Sequence, residues 1–478
     1  SIGKIARTES SEQNSGEKLC IALQDMGTTF IKLGQFLATR PDIIGDEVAK
    51  QLEKLQDKLP AFSTYQAKEI IKKEIGEKSF REIVRLDDPV AAASIAQVHF
   101  AKVKVSGEEK ELAIKILRPN IYKTVNDELD ALMFLAYLIE NFFKKTKRLK
   151  LVEVIYLLKE ITNIEMDLRF EAAAASELFE NTKNDNFIKV PKIYWNFTSK
   201  QILTLDKVEA NPIREIDKLK KANIDLKMLS RNLIQIFLKQ AVRDGFFHGD
   251  MHPGNLFILE DGRLGLIDFG VVGRLNPSTK SSITSMLIAL ATEDYDRLAY
   301  EYIDLAPYSE FADVDKLSRQ IRDLIAPYYG LNIGEVNTGR LLLETTSVAA
   351  QNKLILPSEL VVFFKSIINI EALGKMIQPD FDVLSYTLEF AKDAGIEQFD
   401  SERFTKELGM MFRDMQSLLK TLPRYSKQML RRWNSPNHKF RISIDETKQL
   451  RHTLSQSASL LFLGLVIAGL VLSSSVIV

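Results

Sequence analysis

The chain is poor in cysteine and has no excess of charge of either sign. Cys20 is the only cysteine among 478 residues, so no disulfide can form within one chain. This usage is typical of a reducing compartment. Lysine plus arginine number 64, as do aspartate plus glutamate. Without a basic excess to neutralise phosphates, no nucleic acid is expected as a partner.

Long apolar runs are equally scarce, with one exception. Residues 1–18 are polar and charged and lack the apolar core of a secretory signal, so none is expected. Residues 453–478 contain no charged side chain. About twenty such residues can cross a bilayer as a helix, so we expect a C-terminal transmembrane helix. Basic residues upstream of it favour a cytoplasmic body. A buried apolar helix is the alternative.

The most informative stretch of the sequence runs from Asp244 to Gly270. It contains His248-Gly249-Asp250, then Asn255, then Asp268-Phe269-Gly270. Two short apolar runs flank Asp261-Gly262 between Asn255 and Asp268, which is the pattern of a tight β-hairpin. The hairpin would bring the two ends of the stretch together.

Phosphoryl transfer requires the residue types found at those two ends. It needs a carboxylate near the acceptor and oxygen ligands that hold Mg²⁺ against the nucleotide phosphates. Asp250 is therefore the candidate base, and Asn255 and Asp268 are the candidate metal ligands. His248-Gly249-Asp250 and Asp268-Phe269-Gly270 are each also ordinary turn sequences. Their occurrence together with Asn255 at hairpin spacing favours a phosphoryl-transfer site.

A strand-like region precedes this stretch. The periodicity predicts strands from Val90 to Val105 and from Leu112 to Leu117, joined at Ser106-Gly107. Lys115, on the second strand, resembles the kinase lysine that pairs with the α- and β-phosphates. A solvated strand lysine is the alternative. Two further strands are expected between Lys189 and Val208.

Helices are predicted on both sides of these strands. A helix over Leu19–Leu37 contains Gly34, which hints at close packing. One continuous helix over Leu151–Glu177 would place Glu165, Asp167 and Glu171 toward one pocket. A solvated acidic face is the alternative, although Glu171 suits the helix glutamate that holds a kinase lysine.

The second half of the chain is predicted to be helical. An amphipathic helix from Leu226 to Arg243 leads into Asp244–Gly270, which we call the catalytic stretch. Asn276-Pro277 starts the first helix after it. No Ala-Pro-Glu element follows Gly270, and Gly249 replaces the arginine that contacts a phosphorylated loop in protein kinases. A lipid or small-molecule substrate is thus favoured over a protein.

Four segments together resemble the UbiB/AarF family of atypical kinases. They are the KxGQ motif Lys32 to Gln35, the alanine-rich loop Ala91 to His99, the ExD motif Glu165 to Asp167, and His248 to Asn255. The resemblance implies an α+β, two-lobed, protein-kinase-like fold with an N-terminal helical extension over the active site. We expect the extension at 1–78, the first lobe at 79–206, the helical second lobe at 207–452 and the transmembrane segment at 453–478.

The resemblance also implies roles for individual residues around ATP or ADP with Mg²⁺. Lys115 would pair with Glu171. Lys32 and Gln35 would enter the pocket near Glu165 and Asp167 and block the groove for a peptide. The residues expected to contact the nucleotide are Ala91, Ala92, Ala93 and Ser94 in place of a glycine-rich loop, Lys115, and Asp206 and Val208 between the lobes.

The family is associated with isoprenoid-quinone lipids such as ubiquinone. The sequence is therefore interpreted as a membrane-anchored atypical kinase or ATPase that acts on an isoprenoid or quinone-precursor lipid. Anionic phospholipid, quinone-biosynthesis enzymes and a second copy in a homodimer are candidate partners. The alternatives are a small-molecule phosphotransferase of the aminoglycoside or choline kinase type and a non-catalytic nucleotide-sensing scaffold.

Overall fold

A computed structural model describes residues 15–38, 44–52, 55, 59–143, 149–222, 224–291, 294–306, 313–328, 338–383, 385–387 and 389–390. Within these ranges, no helix combines the length and the apolar character needed to cross a bilayer. The expected transmembrane segment at 453–478 lies outside them.

The elements follow one another in an order that separates a sheet-rich first part from a helical second part. The α-helices are α1 (Ser15–Met26), α2 (Thr28–Ala38), α3 (Asp46–Leu52), α4 (Thr64–Phe80), α5 (Ile121–Phe142), α6 (Leu151–Glu165), α7 (Leu168–Thr182), α8 (Ile216–Lys221), α9 (Leu226–Leu238), α10 (Pro277–Ala291), α11 (Tyr295–Leu305), α12 (Val314–Ile325), α13 (Thr338–Gln351) and α14 (Ser358–Ile377). The strands are β1 (Ile83–Ala92), β2 (Ala96–Val105), β3 (Glu108–Leu117), β4 (Ile188–Lys189), β5 (Ile202–Asp206), β6 (Ala210–Pro212), β7 (Phe246–His248), β8 (Leu256–Leu259), β9 (Leu264–Leu266) and β10 (Val272–Arg274).

The first lobe is built on an antiparallel sheet with the strand order β1-β2-β3-β5. Ser106 and Gly107 join β2 to β3, and both have positive φ, at 53° and 90°. A two-residue turn of that kind matches the twist of the paired strands, which confirms the turn predicted there. Ala67 and Ile71 of α4 pack on one face of this sheet in a buried apolar cluster.

The second lobe has small sheets under a set of helices. One sheet has the order β4-β9-β8-β6, and β7 pairs with β10. Phe237 of α9 lies with its ring centroid 5.5 Å from that of Phe247 and 5.2 Å from that of Phe363. Edge-to-face and offset ring pairs are favourable in a core. This aromatic cluster joins α9 and α14 to the strand that leads into His248-Gly249-Asp250.

Several sequence predictions of these helices and strands are confirmed. The sequence predicts helices after residue 270 at Ser278–Ala291, Asp294–Asp304, Val314–Ile325, Arg340–Gln351 and Pro357–Ile377. Helices α10 to α14 lie within two residues of these bounds. Asn276 caps α10 by accepting a hydrogen bond from the Thr279 amide at 2.8 Å. A Cβ placed on Gly34 would lie 2.3 Å from Leu55 Cδ1, so this glycine permits the close packing that was expected.

Two predicted helices are wrong because each is interrupted. The predicted Leu19–Leu37 helix is split into α1 and α2 at Gly27, which has φ of 101°. The predicted Leu151–Glu177 helix is split into α6 and α7 at Met166 and Asp167. The argument that Glu165, Asp167 and Glu171 share a face of one helix therefore fails.

Two smaller predictions also need correction. The helix before the catalytic stretch ends at Leu238 and continues as a wider π-helical segment, Lys239–Asp244. Of the two strands expected between Lys189 and Val208, the second is present as β5. The first is wrong, because this part of the chain has only an isolated bridge at Ile193 and a 3-10 turn at Trp195–Phe197. The predicted domain boundaries stay predictions.

Candidate active site

A buried ion pair joins the sheet of the first lobe to α7. Lys115 Nζ on β3 lies 2.9 Å from Glu171 Oε1 and 2.8 Å from Glu171 Oε2. Glu171 occupies the first turn of α7 and is buried. Because both carboxylate oxygens accept from one ammonium group, the position of the lysine is closely defined.

Asp268 adds a second carboxylate to this pair. Its Oδ1 lies 3.7 Å from Lys115 Nζ, although Asp268 belongs to the second lobe. Burial alone would lower the pKa of Lys115, but Asp268 and Glu171 outweigh it and raise the pKa above its ordinary value. The Lys115 ammonium in turn lowers the pKa of Asp268, and Lys32 acts in the same direction.

The backbone at Asp268 has an uncommon conformation. Its φ is 60°, in the left-handed region that few residues other than glycine adopt. The Gly270 amide donates to Asp268 Oδ1 at 3.2 Å. Side chains held in such conformations often belong to functional sites, because the surrounding structure has to impose the strain.

His248 connects the two aspartates of the catalytic stretch. Its Nδ1 accepts from the Asp250 amide at 3.1 Å, so Nε2 carries the proton and donates to the Asp268 carbonyl at 2.8 Å. Burial lowers the pKa of His248. The neutral imidazole thus fixes the backbones at both ends of the hairpin.

Asn255 lies against Asp250. Its Nδ2 donates to the Asp250 carbonyl at 3.1 Å and to Asp250 Oδ2 at 3.0 Å. The Asn255 carbonyl accepts from Ile267 at 3.1 Å, next to Asp268. The structure therefore brings together Lys115, Glu171 and Asp268 on one side, and Asp250 and Asn255 on the other, through a single hairpin.

Gly249 is closely packed from behind. A Cβ at this position would lie 2.9 Å from Cγ1 of both Val271 and Val362. Ser366 of α14 donates to the Gly249 carbonyl at 3.0 Å. An arginine does not fit between these groups, so α14 supports the catalytic stretch where a protein kinase has a different side chain.

The alanine-rich loop is the turn between β1 and β2. Ala91 and Ala92 end β1, and the Ala93 amide donates to the Ala96 carbonyl at 2.8 Å. Arg118 holds this turn, because its Nη2 and Nε donate to the Ala93 carbonyl at 2.8 and 3.1 Å. The same guanidinium donates to the Pro60 carbonyl at 2.9 Å. Arg118 therefore ties the loop to the N-terminal extension.

The N-terminal extension also contacts this loop and α6 directly. Thr28 Oγ1 on α2 donates to the Ser94 carbonyl at 3.1 Å. Lys32 Nζ, one helical turn further on, lies 2.8 Å from Glu165 Oε2 at the end of α6. Gln35 follows on the same helix and is half-buried. The structure thus brings Lys32 and Glu165 together, as the resemblance implied.

Asp167 has a different environment from Glu165. It caps α7 by accepting from the Arg169 amide at 3.2 Å, and its carboxylate binds the Arg169 guanidinium at 2.6 and 2.9 Å. Arg169 lowers the pKa of Asp167. These contacts assign Asp167 to the helix start, and the structure does not pair it with Lys32.

The connection between the lobes contains Asp206 and Val208. Asp206 Oδ1 accepts from the Tyr194 hydroxyl at 2.7 Å, and Oδ2 accepts from the Lys192 amide at 3.1 Å. Its carboxylate is thus engaged in holding the connection. Val208 is half-buried and lies beside Gly265 of β9.

We call the space between Lys115, Asp250 and Asp268 the cleft. The polar groups around it fit a nucleotide with its magnesium ion. Ser94 Oγ is buried and has no hydrogen-bond partner within the described part of the chain. The amide nitrogen of Asn255 is bonded to Asp250, which leaves Asn255 Oδ1 available to a metal ion. Across the described ranges, no group of three or more His, Cys, Asp and Glu could form a complete metal site. Mg²⁺ often binds through only one or two protein groups plus phosphates, which is the set that Asn255 and Asp268 offer.

Sequence reasoning missed Arg118 and His248 as positioning residues. His248 had a signal, because it lies two residues before Asp250 within the motif. Arg118 had none, since its acceptors Ala93 and Pro60 are distant in sequence and an arginine after a strand is ordinary.

Comparison with known proteins places this cleft in a family. Residues 54–302 match the model of the ABC1 atypical kinase-like domain, and residues 321–382 match the model of the UbiB helical domain. The first match contains Lys115, Glu171, Asp250, Asn255 and Asp268. The second contains α14, which supports Gly249.

Curated relatives match over most of the chain. A protein named "Probable protein kinase UbiB" from Marinobacter nauticus is 34% identical over 383 residues, which is 79% of this chain and 70% of the relative. Proteins of the same name from Histophilus somni and Glaesserella parasuis are 33% and 31% identical, covering 87% and 95% of this chain and 78% and 84% of each relative.

A solved structure has the same fold. The complex of Rv3197 with erythromycin from Mycobacterium tuberculosis matches 79% of this chain and 95% of that chain, with a TM-score of 0.52 and 22% identity. At that identity the likeness concerns the fold, which is α+β and kinase-like with N-terminal helices. The family models and the curated relatives together show that the chain belongs to the ABC1/UbiB family of atypical kinases.

Proposed function

We propose that this protein binds Mg-ATP in the cleft and uses its hydrolysis, or transfer of its γ-phosphoryl group, to support the biosynthesis or handling of isoprenoid-quinone lipids at a membrane. One observation supports nucleotide binding above the others. Lys115 lies between a buried glutamate of the first lobe and Asp268 of the second. That three-residue arrangement is what a kinase needs in place before phosphoryl transfer.

Each residue has a role in this proposal. Lys115 binds phosphate oxygens and is kept charged and oriented by Glu171. Asn255 and Asp268 hold Mg²⁺, which neutralises charge on the phosphates when it is bound. Asp250 orients the attacking hydroxyl or water and accepts its proton, because Asn255 and His248 fix the carboxylate and its backbone.

A lipid acceptor is favoured over a peptide by the N-terminal extension. Thr28 and Lys32 of α2 bond to the alanine-rich loop and to α6, so the extension lies where it restricts access to the cleft. The relatives carry the name protein kinase, whereas α14 packs against Gly249 in the place of an arginine that serves phosphorylated loops. The uncharged run at 453–478 supports anchoring of a cytoplasmic body to a membrane.

The test is phosphate release from Mg-ATP by the full chain purified in detergent. It is measured with and without liposomes that contain cardiolipin, and Asp268→Asn serves as the blank. Release that increases with liposomes and disappears in Asp268→Asn supports the proposal. Prenylated phenols added to the same assay probe the lipid class.

The opposite outcome is equally clear. If the parent protein binds nucleotide but releases no more phosphate than Asp268→Asn, hydrolysis is excluded and a nucleotide-sensing scaffold becomes the favoured function. If release is unchanged by liposomes and by prenylated phenols, the lipid part of the proposal is wrong while nucleotide hydrolysis stands.

A further inference from the structure

Helix α7 precedes the connection between the lobes in the chain, but its buried face packs with the second lobe. Its buried apolar side chains lie in one core cluster with Leu233 of α9, Phe246 of β7 and Leu264 of β9, and they are Leu168, Ala172, Ala174, Ala175 and Leu178. The cluster between the sheet and α4, which includes Leu112 and Ile114, has no described residue of α7. The sheet and its first turn reach the shared cluster through Ile95, Ala96, Leu117 and Leu203. Elements packed in one dense core move together, because separating them would open voids.

Arg243 fastens the C-terminal end of α7 to the second lobe. It lies in the π-helical segment before the catalytic stretch, and its Nη2 donates to the Asn181 carbonyl at 3.3 Å and to Asp185 Oδ2 at 3.0 Å. Its Nε donates to Asp244 Oδ1 at 2.7 Å. The side chains of Asp185 and Asp244 are 14% and 13% exposed, so water screens these contacts little. One guanidinium thus joins the end of α7 to the first residue of the catalytic stretch.

Arg274 fastens the middle of α7. It lies on β10, and its Nη1 donates to Glu177 Oε1 at 2.9 Å while Nη2 donates to Glu177 Oε2. Its guanidinium lies over the ring of the buried Phe246, 4.4 Å from the centroid. A partly exposed ion pair contributes little by itself, but a bidentate pair above an aromatic ring has a defined geometry. Arg274 and Arg243 therefore hold α7 at two points beyond Glu171.

Glu171 itself also contacts the second lobe. Its carboxylate accepts a hydrogen bond from the Phe269 amide, in addition to the two from Lys115. In protein kinases the corresponding lysine–glutamate pair depends on where its helix stands. Here core packing, two arginines and the Phe269 amide all connect that helix to the second lobe. The sheet that carries Lys115 is then the part that is left to move.

We infer that Arg243 and Arg274 are positioning residues that keep α7 on the second lobe, so that the Lys115–Glu171 pair forms when the sheet closes over the cleft. The catalytic consequence rests on the proposed function, and the inference adds how the site is assembled. Closure of the lobes replaces a separate movement of the helix. The arrangement needs no phosphorylated loop, which agrees with the lack of an Ala-Pro-Glu element after Gly270.

The first experiment measures a distance between α7 and the second lobe in the full chain, in detergent and without nucleotide. Cys20 is buried, so Cys20→Ser gives a background for spin labels at Ala173→Cys on α7 and Lys227→Cys on α9, two exposed positions. Pulsed electron paramagnetic resonance then gives the distribution of distances between the labels. We expect one narrow distribution when both arginines are present.

Removing both arginines should release α7. In Arg243→Gln with Arg274→Gln the distribution should become about twofold wider or more, because α7 then samples several positions. Arg274→Gln alone, at a side chain that is 67% exposed, should widen it less and serves if the double variant does not fold. Arg231→Gln is the control, since its exposed pair with Glu389 does not involve α7. A distribution as narrow in both arginine variants as in the control would overturn the inference.

The second experiment measures phosphate release and nucleotide affinity, with rates normalised to the folded fraction from urea denaturation. The rate follows the fraction of molecules in which Glu171 meets Lys115, so kcat should decrease by about tenfold in the double variant. Nucleotide affinity should decrease by less than about threefold, because Lys115 and Asp268 are unchanged. An unchanged kcat in a variant whose distance distribution has widened would contradict the role in positioning Glu171.

A charge exchange completes the test. Glu177→Arg and Arg274→Glu should each widen the distribution and lower kcat, whereas the two together recreate an ion pair and should restore both to within about twofold of the parent. No recovery in the combined variant would overturn the assignment of Arg274. If the parent releases no phosphate, the proposed function fails, and the distance measurement still decides whether the arginines hold α7.

Discussion

Two lysine–glutamate pairs lie near the cleft, and they differ in what they join. Lys115 and Glu171 come from the sheet and α7 of the kinase-like lobe, with both carboxylate oxygens within 2.9 Å of the ammonium. Lys32 and Glu165 join the N-terminal extension to the end of α6 through one contact at 2.8 Å. The glutamate side chain is 9% exposed in the first pair and 29% exposed in the second.

The comparison separates the ion pair that acts on the nucleotide from the ion pair that controls access to the cleft. The first pair has Asp268 as a third member, and its Lys115 is the main cause of the low pKa of that aspartate. Lys32 contributes least among the causes of the same shift. We therefore expect the first pair to decide whether nucleotide is bound and turned over, and the second to decide how firmly the extension covers the cleft.

Lys115→Met should have the largest effect. It removes the ammonium that contacts Glu171 and faces Asp268, so phosphate release should decrease by about a hundredfold or more. The buried Glu171 carboxylate would also lose its partner, which should lower the free energy of unfolding by about 3 kcal/mol. Phosphate release and urea denaturation measure the two effects.

The double variant Lys115→Met with Glu171→Leu separates these effects. Replacing both charges by apolar groups should restore most of the stability, while phosphate release stays low. If the double variant recovered phosphate release, the pair would be structural and the distinction between the two pairs would fail.

Arg118→Gln should have the next largest effect. It removes the guanidinium from the Ala93 carbonyl, so the alanine-rich loop loses its link to the extension. Nucleotide affinity should decrease by about tenfold, because a charged hydrogen bond contributes roughly that much. Titration with a fluorescent nucleotide measures the change, and Arg81→Gln, at an exposed helix end, is the control. Equal affinities in the two variants would show that the loop needs no such support.

The sequence predicted elements whose signals are local. Ser106-Gly107 marks a turn by its own conformational preferences, and Asn276-Pro277 marks a helix start by the cap and the fixed φ of proline. The catalytic hairpin was predictable because its turn and its apolar runs lie within 15 residues of each other. The resemblance placed Lys32 near Glu165, which no periodicity could have done.

The remaining features depend on partners that are distant in the chain. The break between α6 and α7 contains neither glycine nor proline. It is held by the Tyr122 hydroxyl on the Met166 carbonyl and by the Leu168 amide, which donates to the Lys200 carbonyl at 3.0 Å. These contacts override a helical pattern that would otherwise continue to Glu177.

Acid should weaken the attachment of the extension through His99. Its Nδ1 donates to the Asp87 carbonyl and its Nε2 accepts from Gln97, which also bonds to Phe62 of the extension. Burial lowers the pKa of His99, so the unfolded chain binds the proton more readily. Stability should therefore decrease as pH falls below about 6.5, by up to about 1.4 kcal/mol per pH unit from this group.

His99→Asn tests that dependence. Asparagine keeps a donor toward Asp87 but does not titrate, so the free energy of unfolding should change less between pH 7 and pH 5 than in the parent. Urea denaturation at each pH gives the slope of the free energy of unfolding against pH for the parent and for the variant. His248 is also buried with a lowered pKa and contributes equally to both proteins. Identical slopes would show that protonation of His99 does not weaken the attachment of the extension.

Lys32→Met should have the smallest effect on the chemistry and a clear effect on access. The pair it breaks is partly exposed and makes one contact, so the free energy of unfolding should decrease by about 1 kcal/mol or less. Nucleotide affinity should change by no more than about threefold, since the Lys32 charge is only a minor influence on Asp268. Amide hydrogen exchange in α2 should become faster, because the helix would lose its ion pair to α6 and keep the hydrogen bond from Thr28 and the packing of Leu33 and Phe36. Lys50→Met, at an exposed position of α3, is the control within the same extension. If Lys32→Met abolished nucleotide binding as Lys115→Met is expected to do, the two pairs would act as one unit, and the extension would belong to the catalytic machinery itself.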